Sequence, residues 1–197
     1  LSLRESRQVA YIWAVTARPH ALPSLPADLP LLALRSTIVF PQGRIAVQVS
    51  SADNLALLLA HPDDGAPVIC VLDAEDGDRG LAALEGRIGV LARLTDRRPI
   101  TAGVAQVTLE GLARVEIGAC VRDEIAGYPT ARATSRTEGD APREAARTLM
   151  QRIIIASDTR AELDSSFPAE LPALLRREAE SPSRFADLAA ARGGLRA

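Results

Sequence analysis

Lysine is missing from this sequence, and all 23 basic residues are arginines. A phosphate-binding P-loop uses a lysine to contact the nucleotide phosphates. A Ser–Lys dyad uses a lysine as its base, and Schiff-base chemistry needs a lysine amine. The absence of lysine therefore excludes these three kinds of site from the 197 residues.

Cysteine and histidine are scarce, with two residues of each type. Cys70 and Cys120 lie in separate apolar runs, which predicts two buried, reduced thiols. Neither a C-x-x-C motif nor a Cys/His spacing indicates a zinc site. His20 and His61 are isolated, so neither is predicted to bind a metal or to take part in catalysis. We expect no catalytic residue, no metal and no cofactor.

Aromatic residues make up only 3% of the chain, whereas 47% of it is hydrophobic. The core must therefore consist mainly of Ala, Leu, Val and Ile, and the length suffices for one large or two small domains. The net charge is −2 and arginines are interleaved with acidic residues. The sequence therefore lacks the basic stripe that would indicate a nucleic-acid partner. No stretch approaches the roughly 20 apolar residues of a membrane span. We expect a cytoplasmic protein that binds neither nucleic acid nor membrane.

Residues 29–49 predict two strands joined by a tight corner. Leu31–Leu34 and Thr37–Phe40 are apolar, β-branched or aromatic, as expected of a first strand. Pro41 cannot donate a ladder hydrogen bond and ends this strand, and Gly43 permits the turn. The residues that follow, R-I-A-V-Q-V, alternate between polar and apolar side chains, which predicts a second strand that completes a hairpin.

One helix and two strands are predicted next, at Ser50–His61, Val68–Leu72 and Arg87–Leu94. Asp73–Asp78 is acidic but lacks the downstream glutamate of an EF-hand, which favours a solvated turn over a calcium loop. Thr95–Gly103 contains Pro99 and is predicted to be a long loop.

The clearest alternation of polar and apolar residues spans 105–117. Gly111 interrupts it, and is predicted to divide two strands or to bend one sharply, with a positive φ. Leu112 is expected on the outward face. A last strand is predicted within Val121–Ala133, around Tyr128.

Strand signals give way to helix signals in the second half of the chain. Residues 29–135 hold about seven short strands and one helix, which predicts a small closed or nearly closed β-barrel. Residues 140–193 predict a helical subdomain, so the expected fold class is α+β. Residues 1–28 contain several prolines and a short apolar run that is weak as a signal peptide, which predicts a flexible extension.

Three helices are predicted in the helical subdomain. The first would be capped by Asp140 and would end near Ala156. Ser181 followed by Pro182 predicts the start of the last helix, because serine caps helices well and proline suits the first helical position.

Four segments resemble, in the same order, landmarks of the N-terminal domain of Lon-type ATP-dependent proteases. They are L-P-L-L-A-L-R-S-T-I-V-F-P at 29–41, G-R-I-G-V-L-A-R-L at 86–94, V-T-L-E-G-L-A-R-V-E-I at 107–117 and S-P-S-R-F-A-D-L-A-A at 181–190. The third is similar to the family's V-x-G-x-x-R strand pair, and the fourth to its D-P-x-x-L-A-D-x-I-A helix. The sequence departs from the family at Gln42, which lengthens the F-P-G corner, and at Ala46 and Gln48, where the family often has bulkier residues.

The resemblance implies a PUA-like β-barrel with one inserted helix, followed by a C-terminal α-helical bundle. It implies a non-catalytic domain that recognises unfolded or degron-bearing protein clients and self-associates as part of a hexamer. The parent would be an ATP-dependent serine endopeptidase whose ATPase and protease domains lie outside this sequence. The candidate client-binding residues are Phe40, Pro41, Ile45 and Tyr128.

Other interpretations stay open at this point. A stand-alone Lon-N-like scaffold for protein interactions would share the same fold. An RNA-binding module is a further class, because PUA-like barrels elsewhere bind RNA, and it requires a basic stripe with exposed aromatic residues. An independent enzyme would need a catalytic constellation that the sequence does not show. For Phe40, Ile45 and Tyr128 the main alternative is burial in the core, where large apolar side chains usually lie.

Overall fold

The computed structural model describes residues 28–62, 64–73, 80–136 and 143–193. They form a mixed α+β fold with one six-stranded sheet and four α-helices, as the sequence predicted for the fold class. The strands are β1 (Leu29–Leu34), β2 (Arg44–Val49), β3 (Pro67–Leu72), β4 (Ile88–Thr101), β5 (Val104–Asp123) and β6 (Tyr128–Ser135). The helices are α1 (Ala52–Ala60), α2 (Arg143–Leu163), α3 (Leu171–Arg177) and α4 (Pro182–Arg192), with a 3₁₀ turn at Leu81–Leu84.

The sheet has the strand order β2-β5-β4-β3-β1-β6, and β6 also pairs with β5. The hydrogen-bonded order therefore returns to β5, a strand of 20 residues that pairs with β2, β4 and β6. β1 and β3 are parallel, whereas the other pairs are antiparallel. The described residues form six strands where about seven were predicted, because β5 is one continuous element.

The predicted hairpin at residues 29–49 is wrong. β1 ends at Leu34, and Thr37–Phe40 is an irregular segment outside the strands. β1 pairs with β3 along residues 31–34 and with β6 at Leu29 and Pro30, and β2 is not among its partners. β2 pairs with β5 instead. The strand propensity of Thr37–Phe40 is thus overridden, because no neighbouring strand offers it a ladder.

The loop predicted at Thr95–Gly103 is also wrong, since β4 runs to Thr101 and β5 begins at Val104. Pro99 lies within β4, between two register shifts of the β4–β5 ladder. A proline is tolerated at such irregularities, because the ladder already lacks regular hydrogen bonds there.

Gly111 does not divide β5, and its φ is not positive. Leu91 pairs with Ala113 and Ala92 pairs with Gly111, so Leu112 is an extra residue that forms a β-bulge. The sequence analysis left two alternatives, that Gly111 divides two strands or that it bends one strand. The bulge agrees with the second, because a bulged strand bends locally. Leu112 was predicted to face outward, but it is half-buried and packs against the core.

Two apolar clusters lie on opposite faces of the sheet, since neighbouring residues of one strand belong to different clusters. In β3, for example, Val68 and Cys70 belong to the first cluster and Ile69 and Val71 to the second. The first cluster includes residues of α1, and the second includes Leu84 of the 3₁₀ turn. Strands β1 and β3 and the first half of β4 bury both faces, which explains their continuous apolar runs.

Helices α2, α3 and α4 share a third apolar cluster. Its most buried members are Leu175, at 0% exposure, and Leu171 and Phe185, at 1% each. The Ser181 side chain accepts a hydrogen bond from the Arg184 N–H, which confirms the predicted start of the last helix. Helix α2, the first of the three C-terminal helices, extends to Leu163, beyond its predicted end near Ala156.

The predicted extension lies outside the described residues except for Asp28, and so do the acidic turn after Asp73 and the helix cap at Asp140. In the described part of the chain, no helix is long and apolar enough to cross a membrane. No group of three or more His, Cys, Asp or Glu residues there could hold a metal ion.

Candidate functional site: a groove beside the Phe40–Gly43 corner

Residues 40–43 form a four-residue turn that leads into β2, and we call this turn the corner. The Gly43 N–H donates a hydrogen bond to the Phe40 C=O at 3.0 Å. Pro41 occupies the second position and Gln42, with a φ of 63°, the third, as in a type II turn. A positive φ is strained for a residue with a Cβ, so Gln42 stands where glycine is preferred.

Replacing Gln42 by glycine is expected to raise the free energy of unfolding by about 0.5–1 kcal/mol, because it removes this backbone strain. Gln48→Gly is the matched control. Gln48 lies in a strand, where glycine weakens the fold, so this variant should be less stable than the parent. Urea denaturation of both variants tests the assignment, and equal losses of stability in the two would contradict it.

Backbone hydrogen bonds hold the corner against β5. The Gln42 N–H donates to the Gly111 C=O, and the Gly111 N–H donates to the Gly43 C=O, both at 2.9 Å. A Cβ built on Gly111 would overlap the Phe40 carbonyl oxygen and lie 2.8 Å from its carbonyl carbon. Glycine is therefore required at position 111 by the close approach of the corner.

Helix α4 contacts the other side of the corner. A Cβ built on Gly43 would lie 3.0 Å from the Ala191 Cβ, so the two backbones are already close. The Gln42 side-chain amide donates to the Arg184 C=O at 3.4 Å. The corner therefore lies where the sheet and the helices meet.

A groove of about 320 Å³ opens beside the corner. Segment 37–41 contributes part of its wall, and the end of β3 and the start of β4 contribute most of the rest. Its lining residues are Leu34, Thr37, Ile38, Val39, Phe40, Pro41, Cys70, Val71, Leu72, Arg87, Ile88, Gly89, Val90 and Arg114.

The groove is mainly apolar, and two charged residues are among those that line it. Ile38 and Ile88 are 39% and 48% exposed, which is high for isoleucine. Arg114 forms an ion pair with the buried carboxylate of Asp187 in α4, whereas Arg87 is exposed. A surface of this kind suits binding of apolar side chains from a partner.

The two thiols are free, but neither provides a reactive thiolate. Cys70 lies at the groove and is buried, and burial raises the pKa of its thiol far above the ordinary value. Cys120 was predicted to be buried too, but it is half-buried. Burial and, secondarily, the Glu85 carboxylate raise the pKa of Cys120. Both sulfurs therefore stay protonated at neutral pH, which makes them poor nucleophiles.

The structure brings together two of the four predicted client-binding residues. Phe40 is half-buried and Pro41 is buried, and both line the groove. Ile45 is 36% exposed and lies in β2, just past the corner. Tyr128 is 8% exposed, packs in the first apolar cluster and is not among the residues that line the groove.

Ile38 and Ile88 line the groove but were not predicted. The strand-like run T-I-V-F gave Ile38 no distinguishing signal. Alternation places Ile88 on the same face as the buried Val90, so its exposure at the start of β4 could not be read from the sequence.

Tyr128 contacts His61, which ends α1. The Tyr128 hydroxyl and the His61 Nε2 are 3.0 Å apart, and the rings meet edge to face with centroids 5.7 Å apart. Burial lowers the pKa of His61, and the positive charge of Arg97 lowers it further. The neutral imidazole therefore links α1 to the start of β6.

The stability of the protein is expected to fall between pH 7.5 and pH 5.5, partly because of His61. Its pKa is lower in the folded protein than the ordinary value of 6.5, so the unfolded chain binds the proton more readily. The stabilising contribution is fully present above pH 6.5 and is lost as the pH falls toward the folded value. Urea denaturation should show a smaller loss over this range for His61→Gln, whereas identical losses would contradict the role of His61.

Comparisons with known proteins agree on one family. A family model described as the ATP-dependent protease La (LON) substrate-binding domain matches residues 28–195. The Lon protease of Elusimicrobium minutum (strain Pei191) is 28% identical over 172 residues, which cover 83% of this chain and 20% of that protein. The chain therefore spans about a fifth of the length of this curated relative.

Two solved structures match this chain. The N terminal domain of Mycobacterium avium complex Lon protease has a TM-score of 0.63 at 20% identity, covering 85% of this chain and 84% of that one. The Lon N-terminal domain protein from Xanthomonas campestris has a TM-score of 0.42 at 20% identity, covering 81% and 94%. The first of these likenesses shows a shared fold.

Proposed function

Because this chain belongs to the family of the substrate-binding domain of ATP-dependent Lon proteases, we propose that it recognises unfolded or degron-bearing protein clients and has no catalytic centre of its own. In its full context it would be a cytoplasmic, N-terminal part of a hexameric ATP-dependent serine protease. Residues 29–135 would be the PUA-like barrel and 140–193 the helical bundle. A stand-alone Lon-N-like scaffold would use the same surface.

The observation that carries this proposal is the open apolar groove beside the corner. Ile38, Phe40 and Ile88 expose apolar surface there, and unfolded proteins are rich in apolar side chains that seek such surface. Folded proteins bury most of theirs. The groove therefore distinguishes unfolded from folded clients by the chemistry that each offers.

A single apolar groove is expected to bind weakly. An area of a few hundred Å² contributes little free energy after the loss of translational and rotational freedom is subtracted. We expect a dissociation constant of roughly 10 μM to 1 mM, or about −7 to −4 kcal/mol. Six copies acting on one client would strengthen binding by a factor of about 10² or more.

An NMR titration tests the proposal directly. The isotopically labelled chain is titrated with reduced and alkylated lactalbumin, which cannot refold, and with native lactalbumin. Shifts should cluster at residues 37–48 and 87–90 with the unfolded form alone. Equal shifts with the native form, or none at millimolar concentration, would contradict client recognition by this surface.

Two isoleucines of one strand provide a matched pair of variants. Ile88 lies in the groove and is 48% exposed, whereas Ile100 is 46% exposed and lies outside it. Ile88→Ser should raise the dissociation constant by about threefold to tenfold, because roughly half an isoleucine side chain no longer contributes apolar burial. Ile100→Ser should leave the constant within about twofold, and a similar effect of the two changes would mean that the client binds elsewhere.

A further inference from the structure

β2 has a free edge. It pairs with β5 along residues 44–49, and it is the terminal strand of the sheet order. Outside this ladder, no backbone–backbone hydrogen bond of the described residues involves 44–49. Arg44, Ala46 and Gln48 are exposed, so the described elements do not cover this edge.

The hydrogen bonds at the corner show which backbone groups point outward. The Gly111 N–H donates to the Gly43 C=O, so Gly43 is a hydrogen-bonded position facing β5. Such positions alternate along an antiparallel ladder, and Ile45 pairs with Leu109 in the register that follows. Positions 45, 47 and 49 therefore bond to β5, whereas the N–H and C=O groups of 44, 46 and 48 point away from it.

We propose that β2 is a strand-addition site, at which an extended segment of an unfolded client pairs with the outward N–H and C=O groups of Arg44, Ala46 and Gln48. The proposal rests on the proposed function, since it describes how this domain holds its client. Six residues of strand offer an edge about 20 Å long. The edge begins directly after the corner, so one client segment could reach both the edge and the groove.

Backbone pairing explains how unfolded chains of unrelated sequence can share one site. In a folded protein, more than about 90% of the buried backbone N–H and C=O groups are already paired. An unfolded segment has these groups available in every sequence, and strand addition uses them for affinity. The edge therefore recognises the unfolded state itself, and neighbouring side chains such as Ile45 add preference among clients.

A second copy of this chain is a weaker candidate for the partner. Pairing of two β2 edges would bury a strip only six residues long. A stable protein interface buries about 1,200–2,000 Å² in total. A client segment needs only weak binding at each site, which a short ladder can provide.

Amide hydrogen exchange of the intact chain tests the proposal, with reduced and alkylated lactalbumin as the probe. In the free protein the amides of Arg44, Ala46 and Gln48 should exchange fast, whereas those of Ile45, Val47 and Val49 should be protected by β5. Client at a concentration about ten times its dissociation constant should slow the exchange of the Arg44, Ala46 and Gln48 amides about tenfold. A gain of protection at every second residue of β2 when the client binds is specific to strand addition.

Two substitutions at one position provide the second test. Ala46→Pro removes an outward N–H without removing a bond to β5, a change that edge strands tolerate. It should weaken client binding about tenfold or more. Ala46→Thr keeps the N–H and the strand propensity, and binding should stay within about twofold. If Ala46→Pro does not fold, the exchange measurement on the parent chain decides alone.

The outcomes separate this inference from the proposed function. Client binding without protection of residues 44, 46 and 48 overturns strand addition and leaves groove binding intact. No client binding overturns both. Protection of these amides in the free protein, whether or not it depends on protein concentration, shows that the edge is already occupied and also overturns the inference.

Discussion

Replacing Gly111 by alanine or valine is expected to lower the free energy of unfolding by about 3 kcal/mol or more. A Cβ at this position would overlap the Phe40 carbonyl oxygen, which is a backbone atom, and the Cβ itself has a position fixed by the backbone of residue 111. They can separate only if the corner moves away from β5. That movement would break the two hydrogen bonds that Gly111 forms with Gln42 and Gly43. Overpacking against rigid backbone is among the more damaging kinds of single substitution.

Gly118→Ala is the matched control for this prediction. Gly118 lies in the same strand, and its added Cβ would meet the Arg132 Cβ at 3.4 Å, an ordinary contact distance. This change should cost less than about 1 kcal/mol. Leu112→Ala should cost about 1 kcal/mol, because Leu112 is half-buried rather than outward-facing. Equal midpoints of urea denaturation for the Gly111 and Gly118 variants would show that the corner does not contact β5 as described.

Replacing Arg114 by methionine is expected to cost about 2–3 kcal/mol. The Asp187 side chain is 6% exposed, and the guanidinium of Arg114 forms its ion pair across the junction of β5 and α4. Removing the arginine takes one charged partner from a buried carboxylate, and breaking such a pair costs more free energy than the intact ion pair contributes to stability. Arg114 is itself 41% exposed, so the cost should stay below that of a fully buried pair.

A double-mutant cycle with Asp187→Asn distinguishes this pair from other effects. If the broken ion pair is the cause of the loss, Arg114→Met combined with Asp187→Asn should be more stable than Arg114→Met alone. Arg98→Met is the exposed control. Arg98 is 70% exposed in its pair with Asp96, so its loss should cost less than about 0.5 kcal/mol. Additive losses of stability in the cycle would show that Arg114 and Asp187 do not act as a pair.

All four segments that resemble the Lon family meet at the corner and its groove. The first contributes Phe40 and Pro41, and the second lines the groove through residues 87–90. The third supplies Gly111 and Arg114, and the fourth supplies the ion-pair partner of that arginine. The motifs therefore maintain one junction between the sheet and the helices, and this junction forms the candidate site.

Several features of the fold were determined by the sequence alone. Alternating polar and apolar residues located β2 and β5, because alternation reports directly which side chains a strand buries. The Ser-Pro pair located the start of α4, because capping depends on residues adjacent in the chain. The four motifs in order indicated the family, although each alone is a short apolar pattern.

Pairing partners and exposure were decided only by the tertiary structure. The segment Thr37–Phe40 has strand propensity but forms no strand, because β2, its expected hairpin partner, pairs with β5 instead. Gly111 is required by the nearby carbonyl of Phe40, a residue 71 positions away, and not by its own φ. Ile88 repeats the pattern of buried neighbours yet is exposed. Propensity and alternation are properties of each segment, whereas contacts between distant segments depend on which of them the whole fold brings together.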